Sequence, residues 1–193
     1  AKVIQLNINF LEEFRKPLYS KYIGTKRKLK EYKKKLIQII NTQNIDICIS
    51  TGAKELEFLT QIQVTCKKIC ELHFSKYNRE LFFEGKKGGI IWKLIGKIRT
   101  YQLINQTRGL DQLVVLTKKD ESDWKKTHNN VKQIYNFSDF QSEYVALLDN
   151  KKVISVGRLT EQKGYNFLIE AWTIIKNKKP DWTLEIYGEG DLY

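Results

Sequence analysis

The chain has 193 residues, 41% hydrophobic and 29% charged, which is enough apolar material for a core and sets a soft prior of one or two domains. No run of about 18 apolar residues occurs and no signal peptide is visible, so neither a transmembrane helix nor a secretory leader is expected. The net charge of +12 is lopsided: residues 1–137 carry 27 Lys and Arg against 13 Asp and Glu, a balance of +14, while residues 138–193 carry 7 against 9, a balance of −2. The basic first part suits anionic lipid, nucleic acid or an anionic substrate, and solubility alone explains it equally well.

Val3–Ile8 alternates apolar and polar residues and reads as a strand. Asn9–Gly24, with Pro17 and the aromatics Phe10, Phe14 and Tyr19, reads as an irregular loop at the ligand edge of a sheet. Lys26–Ile40 has the helical stripe Leu29, Tyr32, Leu36 and Ile40, with Lys28, Lys30 and Lys33–Lys35 mainly off it. Those lysines fit a solvated face or a face lying on anionic lipid. Ile45–Ser50 reads as a second strand, Lys54–Gln63 as a helix, and Lys67–Leu72 as a third strand running straight into His73. The β-α-β-α-β order argues for a parallel sheet with helices on its faces. Cys48, Cys66 and Cys70 fit no common zinc spacing and read as thiols of a reducing compartment.

His73 falls at a strand's carboxyl end, where a site would lie. A lone histidine is more often structural, and its titration near neutral pH is what recommends the functional reading. Ser75–Gly89, polar and Gly-rich with Phe82 and Phe83 inside it, reads as a loop. Ile90–Gln106 reads as a helix packed on the sheet through Ile91, Leu94, Ile98, Tyr101 and Ile104 or Asn105, with Trp92, Lys93, Lys97 and Arg99 on its surface. Leu113–Thr117 is a strand. Lys118–Thr127 is a short helix with acids early and lysines late, complementing its dipole. Val131–Tyr135 is a last strand, and Phe137–Asn150 has no period and reads as a linker.

Val153–Val156 is a short β-branched run ended by Gly157, and Thr183–Tyr187 is a strand broken by Gly188. Between them Leu168, Ala171, Trp172 and Ile175 recur at i, i+3, i+4 and i+7, and Pro180 follows the helix they define. This is a strand–helix–strand unit with a right-handed crossover expected. Arg158 and Lys163 sit just past the first strand, outside the carboxyl ends where ligands of open α/β sheets collect. The loop leads into a helix N-terminus, whose free N–H groups favour an anion. An Arg fork and a Lys point charge placed there suit a diphosphate, although spacing alone reads as readily as two solvated loop charges.

The run VGRLTEQKGYNFLIEAW, Val156–Trp172, resembles the opening of the C-terminal domain of family 4 retaining glycosyltransferases, which have the GT-B fold. ICELHF, ending at Phe74, resembles the N-domain strand that ends in a histidine facing the transferred sugar. LVVLTKKDESDWKK and VKQIYN resemble the close of that N-domain, except that Phe137 stands where the family has proline. The resemblance implies α/β architecture of GT-B type: two Rossmann-like parallel-sheet domains, both incomplete here. Residues 1–137 would be the acceptor-side domain, 138–150 the linker and 151–193 the start of the donor-binding domain. It implies that Arg158 and Lys163 bind the donor diphosphate, that Gly157 and Gly188 supply donor-loop backbone, and that His73 lines the sugar and acceptor side.

By the same resemblance the activity is retaining transfer of a sugar, hexosyltransferase-like, from a nucleotide-diphosphate sugar to an acceptor hydroxyl in cell-surface polysaccharide synthesis. No cofactor, metal or nucleic acid is expected. The acceptor would be a glycan or lipid-linked glycan, and the place cytoplasmic, peripheral on the inner face of the membrane through the basic first part. The family's upstream Gly-rich loop and downstream glutamate pair are not found, and Glu189 is not one of that pair, so the segment alone is expected to be inactive. A different reading is a non-catalytic basic α/β module that binds nucleic acid, supported by the +14 first part and its interleaved aromatics but by no motif.

Overall fold

In a computed structural model that describes residues 5–81, 89–139 and 143–191, the chain forms two units, Ala1–Phe137 and Ser138–Tyr193. Both are α/β with parallel strands, the Rossmann-like class expected from the alternating pattern. Unit 1 contains α1 (Leu11–Phe14), α2 (Leu18–Thr42), β1 (Ile47–Ser50), β2 (Lys67–Leu72), α3 (Asn78–Leu81), α4 (Gly89–Thr107), β3 (Gln112–Val115), α5 (Lys118–Lys125) and β4 (Val131–Gln133). The strands lie in the order β1-β2-β3-β4, with Ser50 opposite Cys70, Cys70 opposite Leu113 and Leu113 opposite Val131.

Helices cover the apolar residues of β2 and β3, whereas Ile47 and Ile49 of the edge strand β1 stay exposed. Leu59, Cys70, Leu103, Leu113 and Trp124 are 0% exposed. Burial pushes the Cys70 thiol up to about 12, so it is an unreactive core group. The stripe of α2 faces this core through Leu29 and Ile40, with Tyr32 edge-on to Phe58 at 5.3 Å between ring centroids. Thr117 caps α5 by accepting from Asp120 N–H at 3.0 Å.

Five sequence expectations are corrected. Residues 5–8 form no strand: Asn7 sits at φ 51°, and Leu6 C=O accepts from Lys35 Nζ at 3.1 Å, which ties the segment to α2. Asn9–Gly24 is largely helical, because Pro17 pre-sets the backbone entering α2 eight residues earlier than the apolar stripe announces it. Gly24 has a packing reason. Glu13 is 1% exposed and pairs with Lys16 at 3.0 Å and Lys28 at 3.4 Å, and a Cβ at Gly24 would fall 1.8 Å from its Oε2.

Lys54–Gln63 is not an α-helix but two 3-10 turns, Lys54–Glu57 and Leu59–Gln61, separated by Phe58 at φ −137°. The break lets Leu56, Phe58, Leu59 and Ile62 all reach the core. Within Ser75–Gly89, Asn78–Leu81 is helical, and Phe82 and Phe83 lie outside the described residues. Most consequentially, α4 turns the other way. Its buried residues are Gly96, Thr100, Leu103 and Thr107, while Ile91, Leu94, Ile98 and Tyr101 are exposed. Gly96 sets this, since a Cβ there would lie 2.9 Å from Glu80 Cα; only the small-residue face lets α3 dock.

Unit 2 contains β5 (Lys152–Val156), α6 (Tyr165–Lys178) and β6 (Thr183–Tyr187). β5 and β6 pair in parallel, with Val156 opposite Tyr187. Among the described residues of 138–150 no helix or strand forms. Leu168 and Trp172 of the α6 stripe are half-buried, and Tyr165 is buried beside the loop that follows β5.

Candidate functional site

The loop between β5 and α6 is built by backbone contacts. Gly157 N–H donates to Tyr187 C=O at 3.0 Å, and Leu159 N–H donates to Glu189 C=O at 2.8 Å. The loops after β5 and β6 therefore run side by side beyond the carboxyl ends of both strands. Such an approach tolerates no side chains: a Cβ on Gly188 would fall 1.9 Å from Gly157 O, and one on Gly190 2.3 Å from Leu159 O. On the other side, Tyr165 Oη lies 2.9 Å from where a Gly157 Cβ would be. Gly157 and Gly188, marked in the sequence as donor-loop backbone, thus touch each other. Gly190 and Tyr165 were not singled out there, although the GEG run after the strand was the visible trace of the first.

Past this crossing the chain turns tightly. Thr160 N–H donates to Arg158 C=O at 2.9 Å, and Lys163 N–H donates to Thr160 C=O at 2.9 Å. A 3-10 turn over Glu161–Lys163 ends at Gly164, whose φ of 66° admits the switch into α6. Arg158 and Lys163 therefore stand on one short turn at the sheet's carboxyl edge. Both are exposed, and neither side chain has a hydrogen bond or ion pair among the described residues. Among the described residues no side chain caps α6, so its first-turn N–H groups retain their affinity for an anion. Thr160 Oγ1 is buried without a hydrogen-bond partner among the described residues in the same turn.

In unit 1 His73 follows β2 directly and is exposed, with Nε2 3.2 Å from Glu71 Oε1. Glu71 thus stands beside the imidazole at the strand's end. The neighbouring loop after β1 is held by Ser50 Oγ, which donates to Glu55 Oε1 at 2.6 Å and accepts from Gly52 N–H at 3.0 Å. Gly52 at φ 83° lets that loop close over Leu72. No group of three or more His, Cys, Asp or Glu with metal-site geometry occurs among the described residues. Among those residues, no helix is long and apolar enough to cross a membrane.

Two comparisons bear on this geometry. Residues 137–193 match the family model described as "Glycosyl transferases group 1". An uncharacterized glycosyltransferase of Haemophilus influenzae is 28% identical over 163 residues, covering 82% of this chain and 42% of that protein. The chain thus spans less than half the length of that relative. The matched family segment contains the whole β5–α6–β6 unit and its glycine-crossed loop.

Proposed function

We propose that the chain is part of a retaining glycosyltransferase that moves a sugar from a nucleotide-diphosphate sugar to an acceptor hydroxyl in cell-surface polysaccharide synthesis. The observation that carries this reading is the turn over residues 157–164, inside the segment similar to group 1 glycosyl transferases, which combines two exposed cations with an uncapped helix N-terminus. As the glycosidic bond to the donor breaks, negative charge grows on the departing diphosphate. Arg158 meets it with a fork of N–H donors, Lys163 with a point charge, and α6 with its first-turn N–H groups. This assigns neutralisation of the leaving group to side-chain cations rather than to a metal. In a full-length enzyme, loss of one such contact costs on the order of a hundredfold or more in rate. His73, beside Glu71, lines the sugar and acceptor side of the reaction.

The +14 balance of residues 1–137 and the exposed Leu18, Tyr19, Tyr22, Ile91 and Leu94 among lysines support an acceptor carried on an anionic membrane surface at the cytoplasmic face. Calorimetry tests the donor reading. Uridine or adenosine diphosphate binds saturably, competes with the matching nucleotide sugar, and binds at least tenfold more weakly to Arg158→Ala. Salt-sensitive RNA binding with no nucleotide affinity would contradict it and favour a nucleic-acid module.

A further inference from the structure

A cavity of about 780 Å3 opens at the carboxyl edge of the unit 1 sheet just past β1, where Gly52 forms part of its wall. Its lining is cationic. Among the described residues, Lys54, Arg79 and Arg99 line it together with Glu57, whose carboxylate accepts from Lys54 Nζ at 2.9 Å. The two arginines come from different helices. Gly96 admits the α3 backbone against α4, and Arg79 Nη1 donates to Arg99 C=O at 3.0 Å, so the guanidinium of α3 is anchored on α4 beside a second one. Burial first, then the neighbouring Arg99, push the Arg79 pKa down, and Glu57 opposes them. A bound anion would accept from the guanidinium fork.

Gln102 and Gln106 follow Arg99 at i+3 and i+7 on α4, and they line the same cavity. Amides both donate and accept, as recognition of hydroxyl groups requires. An adjoining cavity of about 590 Å3 shares Lys54, Arg99 and Gln102 and continues along Tyr22, Ile95 and Ile98. The cationic chamber therefore continues into a groove where Tyr22, Ile95 and Ile98 lie beside Lys21, Lys26 and Glu57. We propose that this cavity binds a phosphate or diphosphate ester bearing hydroxyl groups, with Arg79 and Arg99 on the anion and Gln102 and Gln106 on the hydroxyls. The ester is the acceptor of the transferred sugar, an identification that rests on the glycosyl-transfer reading; the anion site itself does not.

The test uses the whole chain carrying Arg158→Ala and Lys163→Ala, which silences the loop of unit 2. Glucose 1-phosphate is titrated calorimetrically, and phosphatidylcholine vesicles with and without phosphatidic acid are co-sedimented. Binding of at least one phosphate probe is expected to weaken tenfold or more in both Arg79→Gln and Arg99→Gln. Circular dichroism checks folding, and the exposed Arg99 keeps the test decisive if Arg79→Gln loosens α3. A response to glucose 1-phosphate identifies a free ester, and a response confined to the vesicles identifies a lipid-borne one; both support the site. Binding of both probes that is absent, or unchanged in the folded Arg99→Gln protein, overturns it. If these probes bind while no nucleoside diphosphate binds the unsubstituted chain, the anion site stands and the acceptor assignment falls.

Discussion

In unit 1, Leu59, Leu103, Leu113 and Trp124 lose all contact with water, although Ile49 on the edge strand β1 stays 63% exposed. In unit 2, two strands and one helix leave Ile154 63% exposed, and the most sheltered aromatic is Tyr165, beneath the glycine crossing. Both units nonetheless place a shaped loop at the carboxyl edge of a parallel sheet. In unit 1 that loop rests on a packed core. In unit 2 it is shaped by main-chain contacts between two glycine-containing loops. The unit 2 loop thus takes its shape from close backbone approach at Gly157, Gly188 and Gly190.

The sharpest way to break this comparison is core truncation. Leu113→Ala should cost about 2–5 kcal/mol in chemical unfolding. Ile154→Ala, on an exposed strand face, should stay within about 0.5 kcal/mol. Equal effects would mean that unit 2 is buried in a way its surface does not show. Next comes Gly188→Ala, where the added Cβ meets Gly157 O at 1.9 Å. Overpacking of this kind costs about 1–3 kcal/mol. It should abolish nucleoside diphosphate binding while leaving the unfolding of unit 1 unchanged. Thr117→Ala removes the cap of α5 and should lower unit 1 stability by about 1 kcal/mol.

Acid should act on unit 1 first. His128 is 4% exposed, with Nε2 3.1 Å from Thr107 Oγ1 and Nδ1 2.9 Å from Thr127 Oγ1. Burial, then Lys76 and Arg108, push its pKa below the ordinary 6.5, so the folded state holds the neutral ring. The unfolded chain takes up a proton as pH falls through 6.5, and the folded chain does so only lower, so stability declines across that interval. Unfolding midpoints at successive pH values should show this slope, flattened in His128→Gln. A slope unchanged in that variant would rule out His128 as its source; carboxylates such as Glu13, which Lys16 holds below the usual range, add their loss only as pH falls further, through 4.5 and below. The smallest effect belongs to exposed pairs: breaking Lys152–Glu185, at 2.8 Å across β5 and β6, should leave the unfolding midpoint unmoved.

Much of this was legible from local pattern. Strands β2, β3, β5 and β6, helix α6 and the turn carrying Arg158 and Lys163 all follow from runs whose period and breakers lie within a few residues, although Ala171 and Ile175 of the α6 stripe stay exposed. What was not legible depended on partners distant in sequence. The large residues of α4 looked like its core face, but Gly96 has to meet Glu80, and that contact decides the rotation. Pro17 started α2 where aromatics suggested a loop, and Phe58 split an expected helix so that four apolar side chains reach the core. Glycines 188 and 190 signalled turns, whereas their contact with residues 157 and 159 needed the folded chain. Arg79 and Arg99, 20 residues apart, carried no motif that joined them.

Amide NMR of the labelled chain during a uridine diphosphate titration shows whether the turn over residues 157–164 grips a diphosphate as proposed. The account predicts saturable shifts concentrated at Gly157, Leu159, Gly164 and the first turn of α6, lost in Arg158→Ala. Shifts that are absent there, or that spread only over the basic surface of unit 1 and persist in Arg158→Ala, would contradict it.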